Sequence, residues 1–358
     1  MADMFDYLQW RGDILFSQIS LNPVDALIFS TLSYVQLDGI APEVIEKRIT
    51  LEEAVKVFLK NPEIETRVRV RQDIELLQAV AQSHRFRNIQ LCFYRSILVA
   101  EEETQFAALT YLLEDGTAVL VFRGTDRTLI GWKEDFNMSF YESVPAQREA
   151  LRYVEEFAKA SNQPLYITGH SKGGNLAVYA AAKSGERIQK RILAVYNQDG
   201  PGFTEHMLGN PGYQAIVPKI HTYIPQSSVV GMLLEHEESY TVIKSSQIGV
   251  MQHNPYSWEI LGTDFIHIEE VSEESRRLDK ALKSWLSGMS LEERSDLTDT
   301  IYELFTSVGV SQTIDLVQPK NVRSYVKALA NDEKKRQLIA GKMVTLLRAM
   351  KDAQHDKE

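Results

Sequence analysis

Residues 165–183 read Leu165-Tyr166-Ile167-Thr168-Gly169-His170-Ser171-Lys172-Gly173-Gly174-Asn175-Leu176-Ala177-Val178-Tyr179-Ala180-Ala181-Ala182-Lys183, and this stretch decides the fold. Residues 165–168 are a short apolar run of strand type, and residues 175–182 are rich in alanine, the strongest helix former. Between them lies Gly169-x-Ser171-x-Gly173. Glycines two before and two after a serine leave room for a sharp strand-to-helix turn that projects its hydroxyl, and Ala177, Ala180 and Ala181 let the helix approach a sheet closely. A serine hydroxyl is a poor nucleophile until a base removes its proton, so a hydrolase must hold it where a histidine and the substrate both reach it. Ser171 is the candidate nucleophile. A phosphate-binding loop is the competing reading of a glycine-rich turn, but the glycine and Lys-Ser/Thr spacing of a P-loop is absent.

Outward from this turn, strand-type and helix-type segments alternate. Residues 96–99, 107–113 and 118–122 are short apolar runs separated by acidic or glycine turns, residues 145–160 have helical period, and residues 192–196 and 219–224 are further strands. Residues 240–248 predict a hairpin. This alternation predicts the α/β class, a mostly parallel central sheet with helices on both faces, and the turn at Ser171 makes the α/β-hydrolase fold the expected form of it. Residues 1–85 read as mostly helical: Asn22-Pro23 opens one apolar-periodic segment, and Thr50-Leu51-Glu52-Glu53 is a capping box opening another over 51–59. Beyond about residue 270 the strand pattern gives way to amphipathic helices that include Leu282, Trp285 and Leu286. Residues 271–358 carry a net charge of +1 against −11 for the remainder, which supports a boundary there. The chain divides into a helical segment over 1–85 packed on or capping the core, a core over 86–270, and a helical appendage over 271–358.

The turn at Ser171, together with Phe122-Arg123-Gly124-Thr125-Asp126 about 47 residues upstream and Gly131-Trp132-Lys133-Glu134-Asp135-Phe136 just after it, resembles the class 3 (fungal-type) lipases. It resembles still more a bacterial lipase-like family of undefined function. The resemblance spans roughly residues 90–260. It implies an oxyanion hole formed by the amides of Thr125 and Lys172, the residue after the nucleophile. Removing one such donor costs about 100- to 1000-fold in rate. Trp132 and Asp135 are read as structural residues that tie down the loop.

In this fold the triad runs serine, acid, histidine along the chain, so the base lies among His206, His221, His236, His253 and His267. His253, in a loop with Asn254-Pro255, is preferred. His236 between Glu235 and Glu237 reads as a solvated acidic turn, His267 alternates like a strand residue, and His170 is not expected to face the serine. The class 3 pattern places the acid near Ile224-Pro225-Gln226-Ser227-Ser228, which has no carboxylate. Asp199 in Gln198-Asp199-Gly200-Pro201, after the strand that follows the turn, takes the role by similarity to some animal lipases, with the carboxylates at 235–238 as the alternative.

The expected activity is carboxylic ester hydrolysis through an acyl-enzyme on Ser171, with no metal or organic cofactor. The alternatives are acyl transfer by the same triad and a catalytically idle scaffold or binding module. A net charge of −10 over 358 residues gives no footprint for nucleic acid and disfavours adsorption to anionic membranes. The lone Cys92 permits no intramolecular disulfide and reads as core filling. No secretory signal or apolar run of about 18 residues is visible, so a cytoplasmic protein without an integral membrane segment is expected. The expected partner is a small-molecule or lipid ester, and the terminal helices have four readings: a cap over the site, a lipid contact, a homodimer contact, or ordinary helices packed on the sheet.

Overall fold

The computed structural model describes residues 2–126, 128–310, 312, 315–316 and 318–355. Helices α1 (Met4–Arg11), α2 (Pro23–Leu32), α3 (Leu51–Phe58) and α4 (Arg71–Gln82) come first, with the two-residue strand β1 (Ile49–Thr50) ahead of α3. Both sequence-predicted starts are real caps. Asn22 accepts the amides of Val24 and Asp25 while Asp25 takes the Asn22 amide, and Thr50 and Glu53 exchange the same pair of bonds.

Strands β2 (Gln90–Val99), β3 (Thr104–Leu112) and β4 (Ala118–Phe122) form an antiparallel meander. Then come α5 (Leu129–Asn137), α6 (Pro145–Ala160), β5 (Leu165–His170), α7 (Lys172–Lys183), α8 (Glu186–Gln189), β6 (Ile192–Gln198), α9 (Glu205–Leu208), α10 (Pro211–Ile216), β7 (Ile220–Pro225) and β8 (Tyr240–Ile243). The sheet order is sequential from β1 to β8, and β4 through β8 are parallel. The fold is α/β.

That order has a consequence. Parallel crossovers are right-handed, so stepping always in one direction along the sheet puts every crossover helix on one face. On that face Leu120, Phe122, Ile167 and Val195 pack with residues of α6, α7 and α10. The opposite face presents Tyr111, Val119, Val121, Tyr166 and Tyr196, and the N-terminal helices cover it. Phe16, Phe29 and Phe86 cluster there, with Phe29 4.7 Å from Tyr111 between ring centroids. Ser30 on α2 hydrogen-bonds Thr168 on β5 at 2.8 Å. A fully buried Arg85–Asp25 ion pair at 2.6 Å, with Tyr7 donating to Asp25, ties the helices to one another.

The hairpin expected over 240–248 is absent. Tyr-Thr-Val-Ile has the apolar pattern of any strand, and β8 is the last parallel strand, beside β7. The hairpin lies further on, where β9 (Ile260–Leu261) and β10 (Asp264–Phe265) flank a two-residue turn whose Gly262 has φ 66°. Helices α11 (Glu273–Ser287), α12 (Leu291–Ser307), α13 (Pro319–Asn331) and α14 (Glu333–His355) complete the described chain. None of the described helices is long and apolar enough to cross a membrane.

Candidate active site

Ser171 occupies the single residue between β5 and α7, with φ 59° and ψ −134°. A non-glycine residue in the left-handed region is strained, and such strain is held by over-determined surroundings. Here a Cβ on Gly169 would lie 2.1 Å from the Gly173 carbonyl oxygen, and one on Gly173 would lie 2.2 Å from that of Phe122. Glycine at both positions is therefore a steric requirement of the turn.

Asp199 follows β6, also at positive φ (53°), and is fully buried. Its Oδ2 meets Nδ1 of His253 at 2.6 Å, while its Oδ1 accepts the Ser228 hydroxyl at 2.5 Å and the Gly231 amide at 3.1 Å. The structure thus brings Asp199 and His253 together across 54 residues of sequence. The loop that lacks a carboxylate contributes Ser228 as a brace for Asp199.

The backbone of His253 is held as well. Its carbonyl accepts from Nε2 of His170 at 2.8 Å, and Nδ1 of His170 meets the Tyr34 hydroxyl at 2.9 Å. A carbonyl only accepts, so Nε2 of His170 carries the proton and Tyr34 donates to Nδ1. Burial supports this tautomer: it holds the His170 ring well below the ordinary histidine range and pushes the Tyr34 hydroxyl up to about 12. Both ring nitrogens of His170 are thus engaged, and its side chain positions the loop that carries His253.

The other histidines are engaged elsewhere. His236 is a correction: its side chain is buried, with Nδ1 3.1 Å from Glu238 and Nε2 2.9 Å from the Gly231 carbonyl. Glu238, one of the alternative carboxylates at 235–238, also accepts from Tyr213 and Thr222. His267 pairs with Asp264, His206 approaches Glu142, and His221 stacks on Tyr196.

Thr125 stands in the turn after β4, and its hydroxyl is committed to Asp135, 2.7 and 2.6 Å from the two carboxyl oxygens. Burial pushes the Asp135 carboxyl up to about 6, with the Lys172 charge and the Thr125 hydroxyl opposing that rise. Among the described residues no group accepts a hydrogen bond from the amide of Thr125 or of Lys172. The Lys172 side chain, which sequence reasoning passed over, is buried. Its ammonium donates to Gln105 Oε1 at 2.6 Å, the Gln105 carbonyl at 2.8 Å and Glu134 at 2.9 Å. Glu134 also takes the amides of Gln105 and Ala146. This cluster ties the first residue of α7 to β3 and to α5, the helix that carries Asp135.

Ser171 opens on a cavity of about 270 Å³ with an apolar lining, including Trp132, Met138, Val230, Leu233, Leu282 and Trp285. Leu282, Trp285 and Leu286 belong to α11, so the C-terminal region closes the cavity. The N-terminus of α11 is bound to the loop that braces Asp199: the Ser272 amide donates to Gln226, and Ser275 donates to the Ser228 carbonyl. Trp285 donates its indole N–H to Lys342 and Thr345 of α14. Among the described residues no cluster of histidine, cysteine and carboxylate side chains is arranged to hold a metal ion.

A family described as Mbeg1-like matches residues 80–303 of the chain. No curated protein matches it. Among solved structures, it is similar to one titled Rhizomucor miehei lipase propeptide complex, at 15% identity over 74% of this chain and 94% of that one, with a TM-score of 0.38.

Proposed function

This chain belongs to the Mbeg1-like family, and we propose that it is a serine hydrolase acting on a carboxylic ester with an acyl chain of medium length. The observation that carries the reading is the 2.6 Å contact between His253 and a buried, braced Asp199, in a chain whose strained Ser171 opens on an apolar cavity.

In this reading Ser171 attacks the ester carbonyl while Nε2 of His253 takes the hydroxyl proton. Asp199 holds the ring by Nδ1, so that Nε2 is the nitrogen available for proton transfer, and it stabilises the imidazolium that forms. The open amides of Thr125 and Lys172 receive the oxyanion. The Thr125 hydroxyl serves Asp135 instead, which makes its amide the donor. Collapse returns the proton from His253 to the departing alcohol, leaving the acyl group on Ser171. A water activated by His253 then releases the acid.

The acyl chain lies in the apolar cavity. A dry cavity of about 150 Å³ holds benzene, so the 270 Å³ here accommodates roughly ten carbon atoms. Treatment with a fluorophosphonate followed by peptide mass mapping tests the nucleophile. A single adduct on Ser171, lost in His253→Ala, is expected, and an adduct elsewhere or none at all contradicts the assignment.

A further inference from the structure

The chain carries −10 in all, yet residues 319–355 contain nine lysines and arginines against Asp332, Glu333 and Asp352. This stretch is therefore +6 and the rest of the molecule −16. It comprises α13 and α14, both beyond residue 303 where the family match ends.

The two faces of α14 differ. Toward the protein, Leu338, Ile339 and Leu346 are half-buried, and the inward lysines are paired: Lys335 with Glu303 at 2.9 Å and Lys342 with Glu293 at 2.6 Å. The other face has Met343, Leu347 and Met350 at helical spacing, with Leu347 59% exposed. On α13 the exposed apolar residues are Val322 and Val326, the latter 64% exposed. Interleaved with them are Arg323, Lys327, Arg348 and Lys351, none of which forms an ion pair among the described residues.

We propose that these exposed apolar and basic surfaces of α13 and α14 dock on an anionic lipid surface. Bulky aliphatic side chains exposed among unpaired basic ones are the composition that lies in the plane of a membrane interface. Charge on the remainder of the molecule is screened within about 8 Å at physiological salt, so the local +6 governs contact. The arrangement deepens the ester reading and rests on it for its catalytic consequence. α14 backs α11 through Trp285, and α11 walls the cavity at Ser171, so the docked face belongs to the layer that covers the acyl site.

The test measures binding without turnover, so it succeeds or fails independently of the hydrolase reading. The full Ser171→Ala chain is sedimented with vesicles of phosphatidylcholine alone and of phosphatidylcholine with about 30% phosphatidylglycerol. Pelleting with the anionic vesicles, at least about tenfold weaker on neutral ones or in high salt, is expected. Combined Arg323→Glu, Lys327→Glu, Arg348→Glu and Lys351→Glu lowers binding by at least about a hundredfold with an unchanged melting temperature. Met343→Ser with Leu347→Ser weakens binding while leaving the charge intact. No pelleting with anionic vesicles overturns the proposal, as does equal binding by the charge-reversed chain. A dimer in solution that the Met343→Ser, Leu347→Ser chain loses, without vesicle binding, assigns the face to a second copy instead.

Discussion

Asp135 is a carboxyl on the wall of the cavity beside the serine, and its environment gives a measurable signature. Burial raises it from 3.8 to about 6. The folded state therefore holds this proton more tightly than the unfolded chain, so its contribution to stability is full below about pH 4 and is lost as pH rises through 6. Asp135→Asn keeps an acceptor for Thr125 and removes the charge. Thermal melts should find it more stable than the native protein at pH 7 by on the order of 2 kcal/mol, with the gain vanishing toward pH 4; a difference constant over that range contradicts the account. At this scale the sequence is informative only where the requirement is local. The glycines flanking Ser171 declare its turn, and Asp199 stands directly before Gly200-Pro201. Tyr34 and Ser228 leave no such mark, because their partners His170 and Asp199 lie 136 and 29 residues away.

The elements around the serine are locked by the Lys172–Glu134 ion pair, which joins α7, β3 and α5 in a fully buried setting. Removing one partner leaves an uncompensated buried charge at a cost of about 3–5 kcal/mol, whereas replacing both with apolar groups is often neutral. Lys172→Met alone should therefore lower stability by that amount in urea unfolding, and adding Glu134→Gln, which removes the charge and keeps one acceptor for the amides of Gln105 and Ala146, should restore part of it. Additive losses in the double variant would show that the pair is not coupled. β4 was legible to the residue and β5 nearly so, because buried parallel strands are short apolar runs. The sequence of β8 reads equally well as half of a hairpin, since an apolar pattern does not name a strand's partner. The amphipathic period of α11 was visible as well, but which layer its apolar stripe would meet was not.

For the molecule as a whole, one-directional crossovers leave a sheet face that α1–α4 cover together with Trp258 and the Phe265 of β10. The division at residues 85 and 270 drawn from composition thus marks a change of structural type, and we expect it not to mark an independently folding core. A chain limited to residues 86–270 would expose Tyr111, Val119, Val121, Tyr166 and Tyr196. Expressed alone, it should aggregate or lack a cooperative melt. A soluble fragment with a sharp transition would show that the N-terminal helices are dispensable. Sequence periodicity and capping residues marked the helices that open at Pro23 and Leu51. Neither placed them against the sheet, because that placement follows from strand order, a property of the assembled molecule.

The most direct test of the central claim is turnover of p-nitrophenyl esters from acetate to palmitate by the native protein and by Ser171→Ala, His253→Ala and Asp199→Asn. The account predicts an optimum near ten acyl carbons in the native protein, and losses in kcat of about 10⁴-fold or more in each variant. Activity that survives Ser171→Ala, or is indifferent to Asp199→Asn and His253→Ala, would contradict it.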